Sequence, residues 1–136
     1  MKLLISTWVF LLFLFFACTE QQVEWIEQVK ITDPSANNMK IIPQHPTDTD
    51  DIKLVIYDDC TYNVLTGLTK SGKTITIVKQ FNSMMKRPCM MTNDTIQIGK
   101  LSVGTYTLNY KLMDIATPAN PKVSLSLAFQ LIVSNQ

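Results

Sequence analysis

Apolar and polar residues alternate along two long stretches of this chain. The clearer stretch is 123–133, where Val, Leu, Leu, Phe, Leu and Val occupy every second position. The same alternation within 94–114 involves Ile96, Ile98, Tyr106, Leu108, Tyr110 and Leu112. A period of two is typical of a strand with one buried face, and it fits no helix. The sequence therefore predicts half-buried β-sheet over both stretches.

Shorter extended segments precede these two stretches. The segments are 28–32, 39–42, 52–57, 62–69 and 73–81. Pro43 and Pro46 place the segment 39–42 at a sheet edge, because proline cannot donate to a central ladder. The dipeptide Ser71-Gly72 predicts a tight hairpin. Some seven strands with turn residues between them and no amphipathic helix predict an all-β sandwich.

The first residues predict export. A basic start at Lys2 precedes a largely apolar run, 3–17, which is shorter than the roughly 20 residues of a membrane span. The end of the run, 15–18, resembles the lipobox of bacterial lipoproteins, in which cleavage precedes Cys18 and acyl chains such as palmitate are added. An ordinary secreted protein is the alternative. We expect a signal peptide over 1–17, a lipidated tether over 18–27 and one domain over 28–136.

Charge gives no evidence for a nucleic-acid partner. Lys2 is the only charged residue of the signal peptide, so the mature chain carries eleven basic and eleven acidic residues. A neutral chain has no overall field to attract nucleic acid. Acidic residues cluster in 48–59 and basic ones in 70–87. Two facing patches or two separate loops would both produce this distribution, and we interpret both groups as belonging to solvated loops.

The remaining cysteines form a candidate pair. If Cys18 carries lipid, Cys60 and Cys89 are left together in an oxidising compartment, and we expect a disulfide between them. A metal site or a redox pair has no support, since the chain has one histidine, His45, and no Cys-x-x-Cys.

The pattern of strands and turns resembles a known family. The residues that carry the resemblance are Pro46, Thr47, Asp50, Ile52, Cys60, 71–77, Cys89 and 98–106. They resemble a small immunoglobulin-like domain of secreted bacterial proteins and of short envelope lipoproteins from gut anaerobes. The resemblance implies an immunoglobulin-like antiparallel β-sandwich with its two cysteines paired, and it implies no particular activity.

Gly104 and Tyr106 resemble the tyrosine corner of such sandwiches. In that motif a tyrosine near the start of one strand hydrogen-bonds back across the preceding turn.

The segment Gly67–Thr74 satisfies the Walker A pattern. A phosphate loop needs a helix after Thr74, whereas the β-branched residues 75–78 favour a strand. We therefore expect a hairpin there, with no nucleotide and no cofactor.

The clustered acidic residues do not form a recognisable metal or catalytic site. The carboxylates of 48–51 lack the spacing of a calcium loop, and Asp58 and Asp59 should point to opposite faces of a strand. No catalytic or metal-ligating residue is therefore assigned. Asn93 and Thr95 belong to a formal glycosylation acceptor, expected in an exposed loop.

One loop is a candidate recognition surface. The segment 84–91, which we call the methionine loop, includes Met84, Met85, Lys86, Arg87, Met90 and Met91. Methionine adapts to different partners. The alternatives are that these side chains fill the end of the sandwich or bind copper(I).

The sequence thus predicts a non-enzymatic, lipid-anchored protein of the bacterial cell envelope, at the outer membrane. It would bind an envelope protein, a glycan or a host molecule. A structural accessory subunit of a surface complex is the alternative, and a small envelope enzyme is a further one.

Overall fold

The computed structural model describes residues 31–136. The predicted signal peptide, Cys18 and the tether lie outside these residues. Within residues 31–136, a 3-10 turn, Pro34–Asn37, precedes seven strands. The strands are β1 (Met39–Ile42), β2 (Ile52–Cys60), β3 (Val64–Ser71), β4 (Thr74–Phe81), β5 (Met91–Gly99), β6 (Gly104–Asp114) and β7 (Lys122–Val133). Within this part of the chain, no helix is long and apolar enough to cross a membrane.

The strands form the predicted sandwich of two sheets. One sheet has the order β1-β2-β5 and the other has the order β3-β4-β6-β7. All pairs are antiparallel except β4 and β6, which are parallel. The parallel pair arises because β5, which lies between them in the chain, belongs to the opposite sheet. The expected antiparallel arrangement therefore holds at every pair but one.

The predicted alternation accounts for the core. The inward-facing side chains include Ile52, Leu54, Ile75, Ile77, Ile96, Leu108, Tyr110 and Phe129, all 2% exposed or less. Burying each such side chain contributes about 1.5–3 kcal/mol. The core therefore lies between the sheets, as a period of two requires.

Three details differ from or refine the sequence prediction. The hairpin loop between β3 and β4 is Gly72-Lys73, one position later than predicted, with φ 56° at Gly72. β1 does lie at a sheet edge. Although the alternation continues to the start of β7, Val123 and Leu125 are 55% and 37% exposed, because β7 begins beyond the packed interior.

The first predicted strand is 28–32, and the structure describes only its last two residues. Ile31 forms an isolated parallel bridge with Ala128 of β7, and the amide of Thr32 donates to the Ala128 carbonyl at 2.8 Å. This contact joins the start of the described chain to the edge of the four-stranded sheet.

Candidate functional site

A β-bulge in β2 brings a carboxylate into the interior. The pairing with β5 shifts between Ile56 and Asp59, and Asp58 adopts a left-handed φ of 52°. One extra residue in a strand re-aims the side chains that follow it. Asp59 therefore faces inward like Ile56, while Asp58 stays exposed.

Asp59 belongs to a buried ion cluster, which we define as Lys79, Asp59 and Asp94. The Lys79 ammonium contacts Oδ2 of Asp59 directly and lies 2.5 Å from Oδ2 of Asp94. The side chains of Lys79 and Asp59 are 1% and 6% exposed, whereas that of Asp94 is 38% exposed. The cluster joins β4 of one sheet to β2 and β5 of the other, and it opens to solvent on the Asp94 side.

Further side chains complete the surroundings of the cluster. Nδ2 of Asn63 donates to Oδ1 of Asp59 at 2.7 Å. Leu65 and Leu112 pair with Lys79 on either side in the sheet. Burial, and then the negative charges of Asp59 and Asp94, raise the pKa of Tyr110, so its phenol stays protonated. Such an environment makes uncompensated charge costly, at several kcal/mol per ion.

This cluster was not predicted from the sequence, although the sequence contains one signal for it. Lys79 follows Ile75 and Ile77 at the same period of two, which places it on the core face of β4. A lysine in that position requires a buried acidic partner. The bulge that supplies Asp59 has no comparable signature.

The predicted disulfide between Cys60 and Cys89 is confirmed. Their Cα atoms lie 5.5 Å apart, and the bond joins the end of β2 to the segment that enters β5. The amide of Thr61 also donates to the Met90 carbonyl at 3.1 Å. The methionine loop is therefore fixed covalently at one end to the strand that carries Asp59.

The methionine side chains point into solvent. Met84, Met85, Met90 and Met91 are 75%, 48%, 69% and 68% exposed. The alternative in which they fill the end of the sandwich is therefore wrong. Beside them lies a cleft of about 360 Å³, lined in part by Tyr62, Val64, Phe81, Met85 and Arg87.

The other end of the loop is held by Asp114. The Ser83 amide donates to Oδ1 of Asp114 at 3.1 Å, and the Ser83 hydroxyl donates to Oδ2 at 2.5 Å. These hydrogen bonds hold the pKa of Asp114 below its ordinary value, because they favour the ionised carboxylate. The Arg87 guanidinium also lies 5.9 Å from the Tyr62 ring centre. The exposed loop thus has defined attachments at both ends.

Tyr106 makes the hydrogen bond typical of a tyrosine corner. Its hydroxyl donates to the Ser102 carbonyl at 2.9 Å. The Ser102 hydroxyl lies 2.9 Å from the same phenol oxygen and is the main cause of a lowered Tyr106 pKa. Gly104 has φ 148°, and a Cβ there would lie 2.5 Å from Nζ of Lys73. The Lys73 side chain could move away from such a Cβ, so it is the positive φ that favours glycine where the chain enters β6.

The Walker-like segment has no phosphate-binding geometry. Thr74 begins strand β4, so no helix N-terminus faces the loop. Nζ of Lys73 lies 4.3 Å from the Tyr106 ring centre and donates to the Val103 carbonyl at 3.3 Å. The lysine of the pattern is thus engaged with the tyrosine corner.

The remaining predicted residues occupy ordinary positions. His45 is exposed, and Asp50 accepts two hydrogen bonds from Thr47, which lower its pKa. Asn93 and Thr95 lie within β5, not in the loop before it as predicted, because pairing with β2 extends back to Met91. Within residues 31–136, no three His, Cys, Asp or Glu side chains converge as a metal site.

Comparison with known proteins adds no further evidence. No protein-family model, no curated protein and no solved structure matches this chain.

Proposed function

We propose that this protein is a lipid-anchored cell-envelope module that binds a partner protein through its methionine loop. The observation that carries the proposal is the exposure of Met84, Met85, Met90 and Met91 on a loop attached at both ends. Four exposed methionines within eight positions form an apolar surface that a monomer in water does not need.

The chemistry of the loop favours a protein partner over a glycan. Methionine is unbranched and polarisable, so it packs against apolar side chains of varied shape. Lys86 and Arg87 lie between the methionine pairs and would add ion pairs at the rim of an interface. The adjoining cleft, with Tyr62 at its wall, would accept one apolar side chain.

Attachment at both ends supports recognition in a second way. Binding costs less when the binding surface is ordered beforehand. The disulfide at Cys89 and the hydrogen bonds between Ser83 and Asp114 limit the conformations that the loop must give up. The loop is thus partly preorganised, while its methionine side chains keep their adaptability.

The proposed location rests on the N-terminal sequence and on the disulfide. Residues 15–18 resemble a lipobox, and the Cys60–Cys89 bond is stable in an oxidising compartment. Lipid on Cys18 would hold the domain on a membrane, because each buried methylene of an acyl chain contributes about 0.8 kcal/mol. The bacterial outer membrane is the membrane that we propose. These features fit best an anchored module that binds a partner through a recognition loop and to which no catalytic site is assigned.

The test is partner capture from envelope extract with the mature protein immobilised through its N-terminal region. Replacing Met84, Met85, Met90 and Met91 with Ser should abolish capture of the protein that the wild type retains, as identified by mass spectrometry. Folding should be preserved, since each replaced side chain is exposed and such changes stay within about 0.5 kcal/mol.

A matched control removes exposed apolar area elsewhere. Val123 and Ile132, which are 55% and 62% exposed on β7, are both replaced with Ser. This variant should retain the partner in full. Equal capture by the wild type and the loop variant would refute the role of the methionine loop.

A further inference from the structure

We propose that Lys79 and Asp59 condense within the folded domain to form an intramolecular amide bond, with Asp94 as the proton-transferring group. The inference goes beyond the proposed binding function. It rests on the arrangement of the buried ion cluster, in which an amine, a carboxyl acceptor and a second carboxylate meet between the two sheets.

The reacting groups are in direct contact. The Lys79 nitrogen touches Oδ2 of Asp59, which is bonded directly to the carboxyl carbon that the nitrogen would attack. Both side chains are fixed by strands of opposite sheets, so their encounter costs no further chain entropy. Well-oriented groups of this kind react as if at effective concentrations of about 10⁵–10⁸ M.

The first steps of the reaction are a proton transfer from Lys79 to Asp59 and the attack of the Lys79 nitrogen on Cγ of Asp59. The Lys79 ammonium passes one proton to Oδ2 of Asp59, which leaves an amine beside a carboxylic acid. The nitrogen then bonds to Cγ while the carbonyl electron pair moves onto Oδ1. The Asn63 amide, 2.7 Å from Oδ1, stabilises the charge that develops there.

Asp94 completes the reaction. Its carboxylate, 2.5 Å from Nζ of Lys79, accepts the proton that the nitrogen loses on attack and returns it to Oδ2. The Cγ–Oδ2 bond then breaks, water leaves and the carbonyl re-forms. One ammonium and one carboxylate become one amide and one water, and Asp94 ends in its starting state. No oxidant, reductant or other reactant is required.

Burial favours the product. Lys79 is 1% exposed, and its charge and that of Asp59 cannot be solvated by water inside the sandwich. Amide formation removes both charges from the interior and releases a water molecule. The partly exposed side chain of Asp94 offers that water a route out. The reaction occurs once in each chain, so the protein would modify itself without being an enzyme for other molecules.

The experiment is a mass measurement on the purified full chain after denaturation and disulfide reduction. The intact mass should fall short, by one water molecule, of the mass expected for the mature chain with its N-terminal processing and lipid included. Trypsin should not cleave after Lys79, and it should release peptide 54–70 joined to peptide 74–86. The full expected mass of the processed chain, together with normal cleavage after Lys79, would overturn the proposal.

Two variants distinguish this amide from dehydration elsewhere. Asp94→Asn keeps the shape of the side chain but removes the proton acceptor, and it should give the unmodified mass. Asp58→Asn changes the exposed neighbour of Asp59 and should keep the loss of one water. If Asp94→Asn fails to fold, the branched peptide of the wild type still decides the outcome.

Discussion

Removal of the disulfide should cost a defined amount of stability. Replacing Cys60 and Cys89 with Ala opens a loop with a sequence separation of 29. In the chain-entropy model the entropy of closing a loop of n residues is −2.1 − 1.5R ln n, which gives about 3.6 kcal/mol at 25 °C when no other cross-link closes the same loop. Cys89 is exposed, so the substitution removes little packing and the entropic contribution should dominate.

The assay is urea unfolding followed by circular dichroism. With a slope of about 1–3 kcal/mol per M, a loss of about 3.6 kcal/mol lowers the midpoint by about 1–4 M. The slope itself should rise, because the unfolded chain without the cross-link exposes more surface. The control is wild-type protein whose disulfide has been reduced and alkylated. It lacks the cross-link without any substitution, so it should unfold like the double variant.

One result would refute the reasoning. If the oxidised wild type and the double variant unfold at the same urea concentration with the same slope, the cross-link does not constrain the unfolded chain. A lower midpoint with an unchanged slope would instead indicate that the bond acts mainly in the folded state, by holding the methionine loop against the end of β2.

Two further predictions concern the anchor and the loop. Cys18→Ser should abolish incorporation of labelled palmitate and move the protein from the membrane fraction to the soluble fraction; continued labelling would exclude Cys18 as the lipid site. Asp114 has a lowered pKa, so its contribution to loop attachment is complete above the ordinary aspartate value, about 3.9, and is lost as pH falls through the lower folded-state pKa. The Ser83 amide resonance should titrate below pH 3.9 in the wild type and not in Asp114→Asn, and a midpoint at or above 3.9 would contradict the hydrogen-bond assignment.

Much of the architecture was predictable because most strands have one buried face. The alternation of Ile75 with Ile77 and of Leu108 with Tyr110 determines which side chains form the core, and packing then fixes the register. The disulfide was predictable from the number of cysteines and the expected compartment. The parallel pairing of β4 and β6 was not, because alternation specifies the face of a strand but not its neighbour.

The buried ion cluster shows a different limit of sequence interpretation. Asp59 enters the interior only because the bulge at Asp58 adds one residue to β2. In a regular strand the alternation from Ile56 would turn Asp59 outward. A local backbone irregularity with no sequence signature therefore determines which of two adjacent aspartates meets Lys79, and no rule of period two could identify it.

The proposed amide and the disulfide should not contribute independently to stability. The amide would close a loop with a separation of 20, and Asp59 is adjacent to Cys60. With the amide formed, the path between Cys60 and Cys89 shortens to about 11 residues, so the disulfide contributes about 2.8 kcal/mol in the chain-entropy model. Without the amide it contributes about 3.6 kcal/mol. Reducing the disulfide should therefore lower the free energy of unfolding less in the wild type than in Asp94→Asn. Equal decreases in the two proteins would argue that only one covalent link closes this end of the sandwich.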